Sequence, residues 1–581
     1  MATFKAFSTL LKITSEATCC CPPCRKISSR FPVLALRGAA VSNEVLATTA
    51  ALETLQRGGN AADASVAMAA VFQVLQPYAG GVGGDCFCLF YDASKKKVHC
   101  IDGSGRSPAA LTLELLLSKG FGTSVEARSK GLLATVPGAV KCWFDTIRAF
   151  GSGKLNMAEI LQPAIHFAEE GFPIGVISSL EWGRRRSILT KIHGGKTFLK
   201  DGKFTPNPGD ILKNIPMAGL LKKIAKEGPS VVYTGPVAQS IVEAVAAAGG
   251  VMTTEDLGDH LLEPSAVPPI STTYRGTTVH TVPLPSQGAI LLEALNIIEG
   301  FDLHSVREKP GDVQHLLVEA LRLAYADGLS CVSDPATGSI TEMISKEHGR
   351  HRQDLIHLDR RHQAPRDVPT MKQTGTVFTA TADVTGNTCA FISSNSLYFG
   401  TTIVEKYGFS VQSRGLGFNA RPGHPNCAGP RKKPFHSLMP LIVTDTNSGE
   451  WMSVMGTMGG TAQPQILLQV LLNQLEFGLD PQGAIEEPRV QFGGIAEVHP
   501  NDPLNIEEEA GDEVIQGLTA KGHVMDKILR GLDKFQAGHI HSITRGDWWR
   551  HRTSDTQLRQ SDLGVLWCGA DSRCNGIAMG Y

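Results

Sequence analysis

The chain has 581 residues and a net charge of −1, with 42% hydrophobic and 19% charged residues. This composition is typical of a globular protein with a sizeable core, and the balanced charge excludes the basic surface of a nucleic-acid-binding protein. No apolar run approaches the roughly 18 residues that span a bilayer, so we expect no transmembrane segment. Length alone predicts about four domains of roughly 150 residues each.

The first 34 residues form a basic, cysteine-rich tail with two possible interpretations. Residues 1–30 carry five basic side chains against one acid, and four of the 13 cysteines lie between positions 19 and 24. The tail resembles either an organelle-targeting leader or a disordered segment, and it lacks a clear secretory signal peptide. The odd cysteine count and the lack of Asn-x-Ser/Thr acceptors favour a reducing intracellular compartment, cytoplasmic or mitochondrial.

The elements predicted after the tail begin with two helices, over 42–58 and 61–75. A glycine loop at 80–84 and a strand over 86–91 follow. The middle third of the chain, about 110–330, is rich in helices. Apolar residues at helical spacing predict them over 161–170, 237–248, 287–299 and 313–327.

The pattern changes after residue 345. Residues 345–374 hold many His, Arg, Asp and Pro residues and little apolar periodicity, which predicts an exposed, mobile segment. Alternating residues then predict strands over 376–382 and 388–394, joined by a turn. Two more strands are predicted over 438–444 and 451–455, and Gly459-Gly460 opens a helix with Pro464 in its first turn.

The Gly375-Thr376 bond lies where the polar segment meets a strand. A threonine hydroxyl is a poor nucleophile, but a free α-amino group with a pKa of roughly 7.7–8.0 on the same residue can act as its base. Cleavage before Thr376 would therefore create the base and expose the nucleophile in one step. Gly375 would tolerate the strained backbone that self-cleavage needs. The dipeptide recurs elsewhere in the chain, so its setting carries this hypothesis.

Gly459 and Gly460 are candidates for an oxyanion hole. Two glycines at a helix N-terminus present backbone N–H groups to a developing oxyanion, and the helix dipole assists them. The alternative is an ordinary glycine turn that leads into a capped helix.

Several motifs resemble the gamma-glutamyltransferase family, in order, over residues 35–581. They are Gly-Gly-Asn-Ala-Ala-Asp-Ala at 58–64, the glycine loop at 80–84, Val-Pro-Gly at 136–138, Tyr-Thr-Gly at 233–235, Met-Thr-Thr-Glu-Asp-Leu at 252–257, Leu-Tyr-Phe-Gly at 397–400 and Gly-Ala-Asp at 569–571. Further stretches, such as residues 411–418, resemble a YwrD-like branch that is similar to glutaryl-type acylases.

The resemblance implies an α+β fold, the αββα sandwich of N-terminal-nucleophile hydrolases, in which two stacked sheets lie between layers of helices. It implies a proenzyme whose segments 35–375 and 376–581 interlock as one unit after cleavage, so the four-domain estimate should fail. The two cleaved subunits would remain together as a heterodimer. The implied chemistry requires no metal and no organic cofactor.

The resemblance also implies roles for individual residues. Thr376 matches the processing site and nucleophile of the family, and Gly459 and Gly460 match its oxyanion-hole glycines. Ser394 matches a hydroxyl that supports the nucleophile. Ser437 matches the second of two serines in the substrate pocket.

The chain departs from the family in the pocket that binds the glutamyl amine and carboxylate. Arg414 replaces a glutamate, and either binds substrate or is a surface-loop arginine. His436 replaces the first pocket serine, and is either a substrate contact or a packed histidine. Ser396 replaces an asparagine. Ser-Gly at 104–105 replaces an arginine–glutamate pair, for which Arg106 is a candidate substitute.

These departures decide the predicted substrate. A free ammonium group prefers carboxylate partners, whereas Arg414 favours an acidic acyl group without the amine. We therefore predict hydrolysis of gamma-glutamyl or related acidic N-acyl amides through an acyl-enzyme, with water, or else an amine, as acceptor. One alternative is a true gamma-glutamyl transpeptidase and glutathione hydrolase. An alternative from another class is a catalytically degenerate binding or effector protein.

Overall fold

The computed structural model describes residues 30–121, 130–362, 371–372, 375–493, 497–551 and 564–581. Most of the predicted tail lies outside the described residues, although its last two positions belong to the strand Val33–Ala35. Within the described part of the chain, no helix is both long enough and apolar enough to cross a membrane.

Two seven-stranded sheets form the centre of the molecule. In the first, which we call sheet I, neighbouring strands follow the order Val33–Ala35, Leu566–Ala570, His539–Arg545, Trp451–Met458, Leu441–Asp445, Thr277–Thr281 and Ile270–Tyr274. In sheet II the order is Ile577–Gly580, Ala39–Ser42, Thr376–Ala382, Thr388–Ser394, Asp85–Asp92, Lys97–Gly103 and Ala266–Val267.

Helices cover the outer face of each sheet, which confirms the predicted α+β sandwich. One apolar core lies between the sheets and includes Phe378 and Val454. Two larger cores lie between each sheet and its helices. The helices of eight or more residues are Val45–Gln56, Ala61–Leu75, Ala139–Phe150, Met157–Glu170, Val176–Arg184, Ile215–Glu227, Gly235–Ala247, Thr254–Leu262, Gly288–Ile298, Asp312–Cys331, Lys346–Gln353, Gln463–Leu475 and Asp512–Ala520.

The helix Ala61–Leu75 shows why the sequence forms these elements. All of its residues are buried, as its nearly continuous apolar sequence predicts. Its start is fixed by a capping box, in which the Asn60 side chain accepts from the amides of Ala62 and Asp63. The Asp63 carboxylate accepts in return from the Asn60 amide at 2.9 Å. These hydrogen bonds satisfy backbone N–H groups that have no acceptor within the helix at its start.

The strand Thr376–Ala382 lies inside sheet II, between Thr388–Ser394 and Ala39–Ser42. Both sheets combine strands from before and after residue 376. Separating the chain before residue 376 from the chain after it would therefore break strand pairings in both sheets. The two parts of the chain could not separate without exposing the apolar residues of both sheets.

The prediction of a mobile segment over 345–374 is wrong for Lys346–Gln353, which form a helix. The Ser345 side chain caps its start by accepting from the His348 amide. His348 lies 2.9 Å from the Asp327 carboxylate, and Arg352 donates to both oxygens of the same group. Tertiary ion pairs, rather than an apolar stripe, hold this helix. Residues 363–370 and 373–374 of that segment lie outside the described residues.

Candidate active site

Thr376 is the first residue of its strand and is 1% exposed. Its Oγ1 is among the buried side-chain atoms of the described residues that have no hydrogen-bond partner. Gly375 has a φ of +75°, in the left-handed region that favours glycine. The Thr376 hydroxyl, which no described group hydrogen-bonds, therefore directly follows a glycine whose backbone conformation a larger residue would not easily adopt.

Ser394 is paired with Thr376 across the two neighbouring strands. Its Oγ donates to the Gly375 carbonyl oxygen at 2.6 Å and accepts from the Ser396 amide at 2.8 Å. Donation to a carbonyl oxygen withdraws electron density from its carbon. Ser394 thus polarises the carbonyl group of the Gly375-Thr376 bond, which is the bond predicted to be cut.

Ser396 connects this bond to the next loop. It has a φ of +68°, which is unusual for a residue other than glycine, and its Oγ is buried with no hydrogen-bond partner among the described residues. The adjacent Leu397 amide donates to the Ser413 Oγ at 3.0 Å, and the Ser413 amide donates to Asn395. These bonds place Ser396 beside the turn that carries Arg414.

Gly459 and Gly460 follow the strand Trp451–Met458 and precede the helix Gln463–Leu475. Gly460 has a φ of +53° and begins a short 3-10 turn, which packs against Met371–Lys372. The first amides of such a turn have no acceptor within it. The predicted oxyanion-hole glycines therefore lie close to the residues that lead to the bond before Thr376.

Gln287 joins these glycines to the predicted substrate pocket. Its Nε2 donates to the Ser437 carbonyl at 2.6 Å and to the Gly460 carbonyl at 3.1 Å. Arg414 in turn donates from Nη1 to the Ser437 Oγ at 3.3 Å. Arg414 thus contacts Ser437 directly, and Gln287 links Ser437 to Gly460.

Arg414 is 0% exposed, so the alternative of a surface-loop arginine is wrong. Its Nε lies 3.6 Å from Oδ2 of Asp85, and Nε2 of His436 lies 3.1 Å from the same oxygen. The His436 Nδ1 accepts from the Leu438 amide, so Nε2 carries the proton of a neutral ring. Burial lowers the pKa of His436 well below its usual value and lowers that of Arg414 to about 10.

Asp85 is a site residue that our sequence reasoning missed. It also accepts from Nε2 of Gln412 at 2.7 Å and from the Gly105 amide at 3.2 Å. The sequence feature that could have identified it is its position, directly after the glycine loop and at the start of a buried strand. Burial raises the pKa of the Asp85 carboxyl to about 7, although the Arg414 guanidinium opposes that rise.

Arg106 is not joined to the Arg414–Ser437 pair by any contact within the described residues. Its guanidinium donates to Glu263 at 2.7 Å, to Asp334 at 2.9 Å and to the Arg431 carbonyl at 3.0 Å. Two carboxylates already compensate its charge, so a role in substrate binding has no support from these contacts.

Two clusters of described side chains have donor atoms close enough to hold a metal ion: His315–Glu319–His523 and Glu293–Asp327–His348. Both already have protein partners. His315 and His523 share a 2.8 Å hydrogen bond, and His348 lies between two carboxylates. Neither cluster includes a residue of the Thr376 site.

Asp85 leads to a testable pH dependence. Because its folded pKa of about 7 lies above the ordinary value of 3.8, the folded chain binds this proton more tightly. The stabilising effect of that proton is complete below pH 3.8 and is lost as the pH rises towards 7. We expect the melting temperature of wild type, relative to Asp85→Asn, to fall between about pH 4 and pH 7. A difference in melting temperature between the two proteins that does not change with pH would contradict the raised pKa.

Comparisons with known proteins agree with the fold and with the motifs. The gamma-glutamyltranspeptidase family model matches residues 47–579. The glutathione hydrolase-like YwrD proenzyme of Bacillus subtilis is 31% identical and covers 94% of this chain and 99% of its own. The acylase ACY 1 proenzyme of a Pseudomonas species is 29% identical, with coverage of 89% and 93%. A crystal structure of cephalosporin acylase from Bacillus halodurans superposes with a TM-score of 0.83 at 31% identity, with coverage of 96% and 99%.

Proposed function

Because the chain belongs to the gamma-glutamyltranspeptidase family of enzymes, we propose that it is a self-processing amidohydrolase whose nucleophile is Thr376. The observation that supports this most directly is the hydrogen bond from the Ser394 hydroxyl to the Gly375 carbonyl. It lies next to the buried Thr376 hydroxyl, which has no hydrogen-bond partner among the described residues. Cleavage would leave segments 1–375 and 376–581 as a heterodimer with shared sheets.

In the proposed maturation step, the Thr376 Oγ attacks the Gly375 carbonyl carbon. The peptide nitrogen takes the hydroxyl proton and leaves as an amine, so that an ester replaces the amide. Water then hydrolyses that ester and releases a Gly375 carboxylate. The Thr376 hydroxyl and a free α-amino group are left behind. Ser394 stabilises the oxyanion of the first step by the hydrogen bond that it already makes.

In the proposed catalytic cycle, the α-amino group accepts the Thr376 hydroxyl proton while Oγ attacks the substrate carbonyl. The amides of Gly459 and Gly460 hold the oxyanion, and the leaving amine takes the proton. Water then releases the acyl group from the resulting ester. Each step uses only groups of this chain, the substrate and water.

We further propose that the acyl group is acidic and lacks the glutamyl amine. The buried Arg414 beside Ser437 would donate to an acyl carboxylate and would repel an ammonium group. Asp85 does not reverse this preference, because Arg414, His436 and Gln412 already surround it.

The experiment that tests this substrate class compares glutaryl and gamma-glutamyl anilides on purified protein, with and without an amine acceptor. We expect a higher kcat/KM for the glutaryl compound and little gain from the acceptor. A clear preference for the gamma-glutamyl compound, with transfer to the acceptor, would instead identify a transpeptidase.

Ser394→Ala should slow maturation without preventing folding. The change removes one hydrogen bond to the carbonyl under attack, and such a donor is worth roughly 10²–10³-fold in rate. We expect uncut chain to accumulate and convert slowly in a gel time course. Ser393→Ala is the matched control, since the neighbouring buried hydroxyl makes no hydrogen bond among the described residues. Equal cleavage rates in both variants would refute the role of Ser394.

A further inference from the structure

The segment 184–204 is strongly basic and has no part in the mechanism described above. It carries seven Lys and Arg side chains against one acid, whereas the whole chain has a net charge of −1. The exposed members are Arg184, Arg186, Lys191, Lys196, Lys200 and Lys203. Positive charge is therefore concentrated in this segment, as it is in surfaces that attract anions.

Neighbouring carboxylates already compensate three of these cations, in part or in full. Glu181 is buried and pairs with Arg184 at 2.8 Å and with Arg185 at 2.9 Å. Lys200 lies 3.5 Å from the Asp210 carboxylate. Because their charge is used within the protein, these three cations attract a ligand less than the others do.

The other four cations form a group that we call the basic surface. Its members are Arg186, Lys191, Lys196 and Lys203, and none of them forms an ion pair with another described residue. Two exposed acids, Asp201 and Glu405, belong to this segment or to the loop against it. Four cations against these two acids leave a surplus of positive charge on the surface.

Hydrogen bonds hold the parts of the segment together. The Trp182 Nε1 donates to the Phe198 carbonyl at 2.9 Å, and the Arg186 Nε donates to the Lys203 carbonyl at 3.1 Å. These bonds join the two ends of the segment, so the cations lie on an ordered backbone. A surface that is positioned in advance loses less conformational entropy when a ligand binds.

The basic surface begins beside the reacting centre. A Cβ on Gly375 would lie 3.4 Å from the Tyr398 amide nitrogen, so Tyr398 is close to the bond before Thr376. The Arg185 guanidinium lies 3.9 Å from the centre of the Tyr398 ring. Since Arg186 is the next residue, the first member of the basic surface follows directly on a contact with the loop beside that bond.

We propose that the basic surface binds carboxylates on the amine side of the scissile amide, so that the substrates are acidic acyl amides of acidic peptides. The assignment to the amine side rests on the proposed function, in which the buried Arg414 and Ser437 take the acyl group. The exposed surface suits the part of the substrate that extends into water. An extended acidic peptide presents successive carboxylates at about 3.3–3.6 Å per residue, and can therefore meet several cations at once.

The first test compares glutaryl-tetraglutamate with glutaryl-tetraglutamine. Both have the same acyl group and release a peptide through the same kind of α-amine, so the ratio of their kcat/KM values reports the four side-chain carboxylates. We expect wild type to favour the glutamate peptide by about 10-fold at low salt, because each exposed charge contact contributes roughly twofold. The preference should largely disappear in 1 M NaCl, where the screening length is about 3 Å.

Three substitutions locate this preference. The triple change of Lys191, Lys196 and Lys203 to Gln should reduce the low-salt ratio several-fold. The matched control makes the same change at three exposed lysines outside the segment, Lys154, Lys309 and Lys527, and should preserve the ratio. An equal reduction in both triple variants would assign the preference to net charge rather than to this surface, and would overturn the proposal.

A binding measurement separates this proposal from the proposed function. The uncut Thr376→Ala chain should bind poly-L-glutamate in calorimetry at low salt, and the three substitutions in the segment should weaken that binding about 10-fold. This result would support the basic surface even if wild type hydrolysed neither peptide. Equal kcat/KM values for the two peptides, or binding that the substitutions leave unchanged, would overturn the proposal and leave the hydrolase intact. Binding to phosphatidylserine vesicles without binding to poly-L-glutamate would assign the surface to a membrane and would also overturn it.

Discussion

Thr376→Ala should leave the purified chain as a single band near its full mass of 62.1 kDa, without amidase activity. The variant has no hydroxyl to attack the Gly375 carbonyl, so the bond persists and no α-amino base is created. Wild type should instead give two fragments, with a new N-terminus at Thr376. Loss of a catalytic nucleophile typically lowers kcat by about 10⁴–10⁶-fold, so any residual activity should be close to background.

Thr379→Ala is the matched control for this experiment. Thr379 lies on the same strand, is equally buried, and donates to the Phe391 carbonyl at 3.2 Å. The Thr379→Ala chain should be cleaved normally, with at most a modest loss of stability. Thr376→Ser keeps a hydroxyl and should also be cleaved. Complete cleavage of Thr376→Ala at the same bond would show that a different protein, not this chain, does the cutting.

The sequence predicted elements whose own residues determine their structure. The prediction of the helix Ala61–Leu75 matches its observed bounds because its nearly continuous apolar pattern is local. The strand Thr376–Ala382 was predicted for the same reason. The helix Lys346–Gln353 was missed because its support comes from Asp327, which no local pattern connects to it.

The same distinction applies to the site. Thr376 and Ser394 lie on strands that one turn joins, so their pairing follows from the hairpin. Asp85 and His436 are separated by 351 positions, and only the assembled sheets bring them into contact. Arg106 is close in sequence to the expected pocket, yet its guanidinium pairs with Glu263 and Asp334. Proximity along the chain was therefore a poor guide to the pocket.

Arg414→Gln should lower the preference for acidic acyl groups and leave self-cleavage in place. The loss of one charge-assisted contact to the acyl carboxylate costs about 1.5–3 kcal/mol, or roughly 10–150-fold in kcat/KM. We expect most of this loss in KM, because the contact exists before the reaction begins. The ratio of glutaryl to butyryl anilide hydrolysis is the measurement, because only the glutaryl group carries the carboxylate, whereas a general loss of activity would affect both substrates alike.

Two further variants serve as controls. The first addresses the buried charge that this substitution leaves, and the second tests whether Arg106 recognises the acyl group. Arg414→Gln alone removes the cation beside Asp85, and an uncompensated buried charge can destabilise a fold by about 3–5 kcal/mol. The double variant with Asp85→Asn keeps the site neutral and should show the same change of preference with better stability. Arg106→Gln removes an arginine that is already paired with two carboxylates, and should leave the substrate ratio near its wild-type value. If the Arg106 variant changed the ratio and the double variant did not, acyl recognition would belong to Arg106, and the buried arginine would be a structural partner of Asp85.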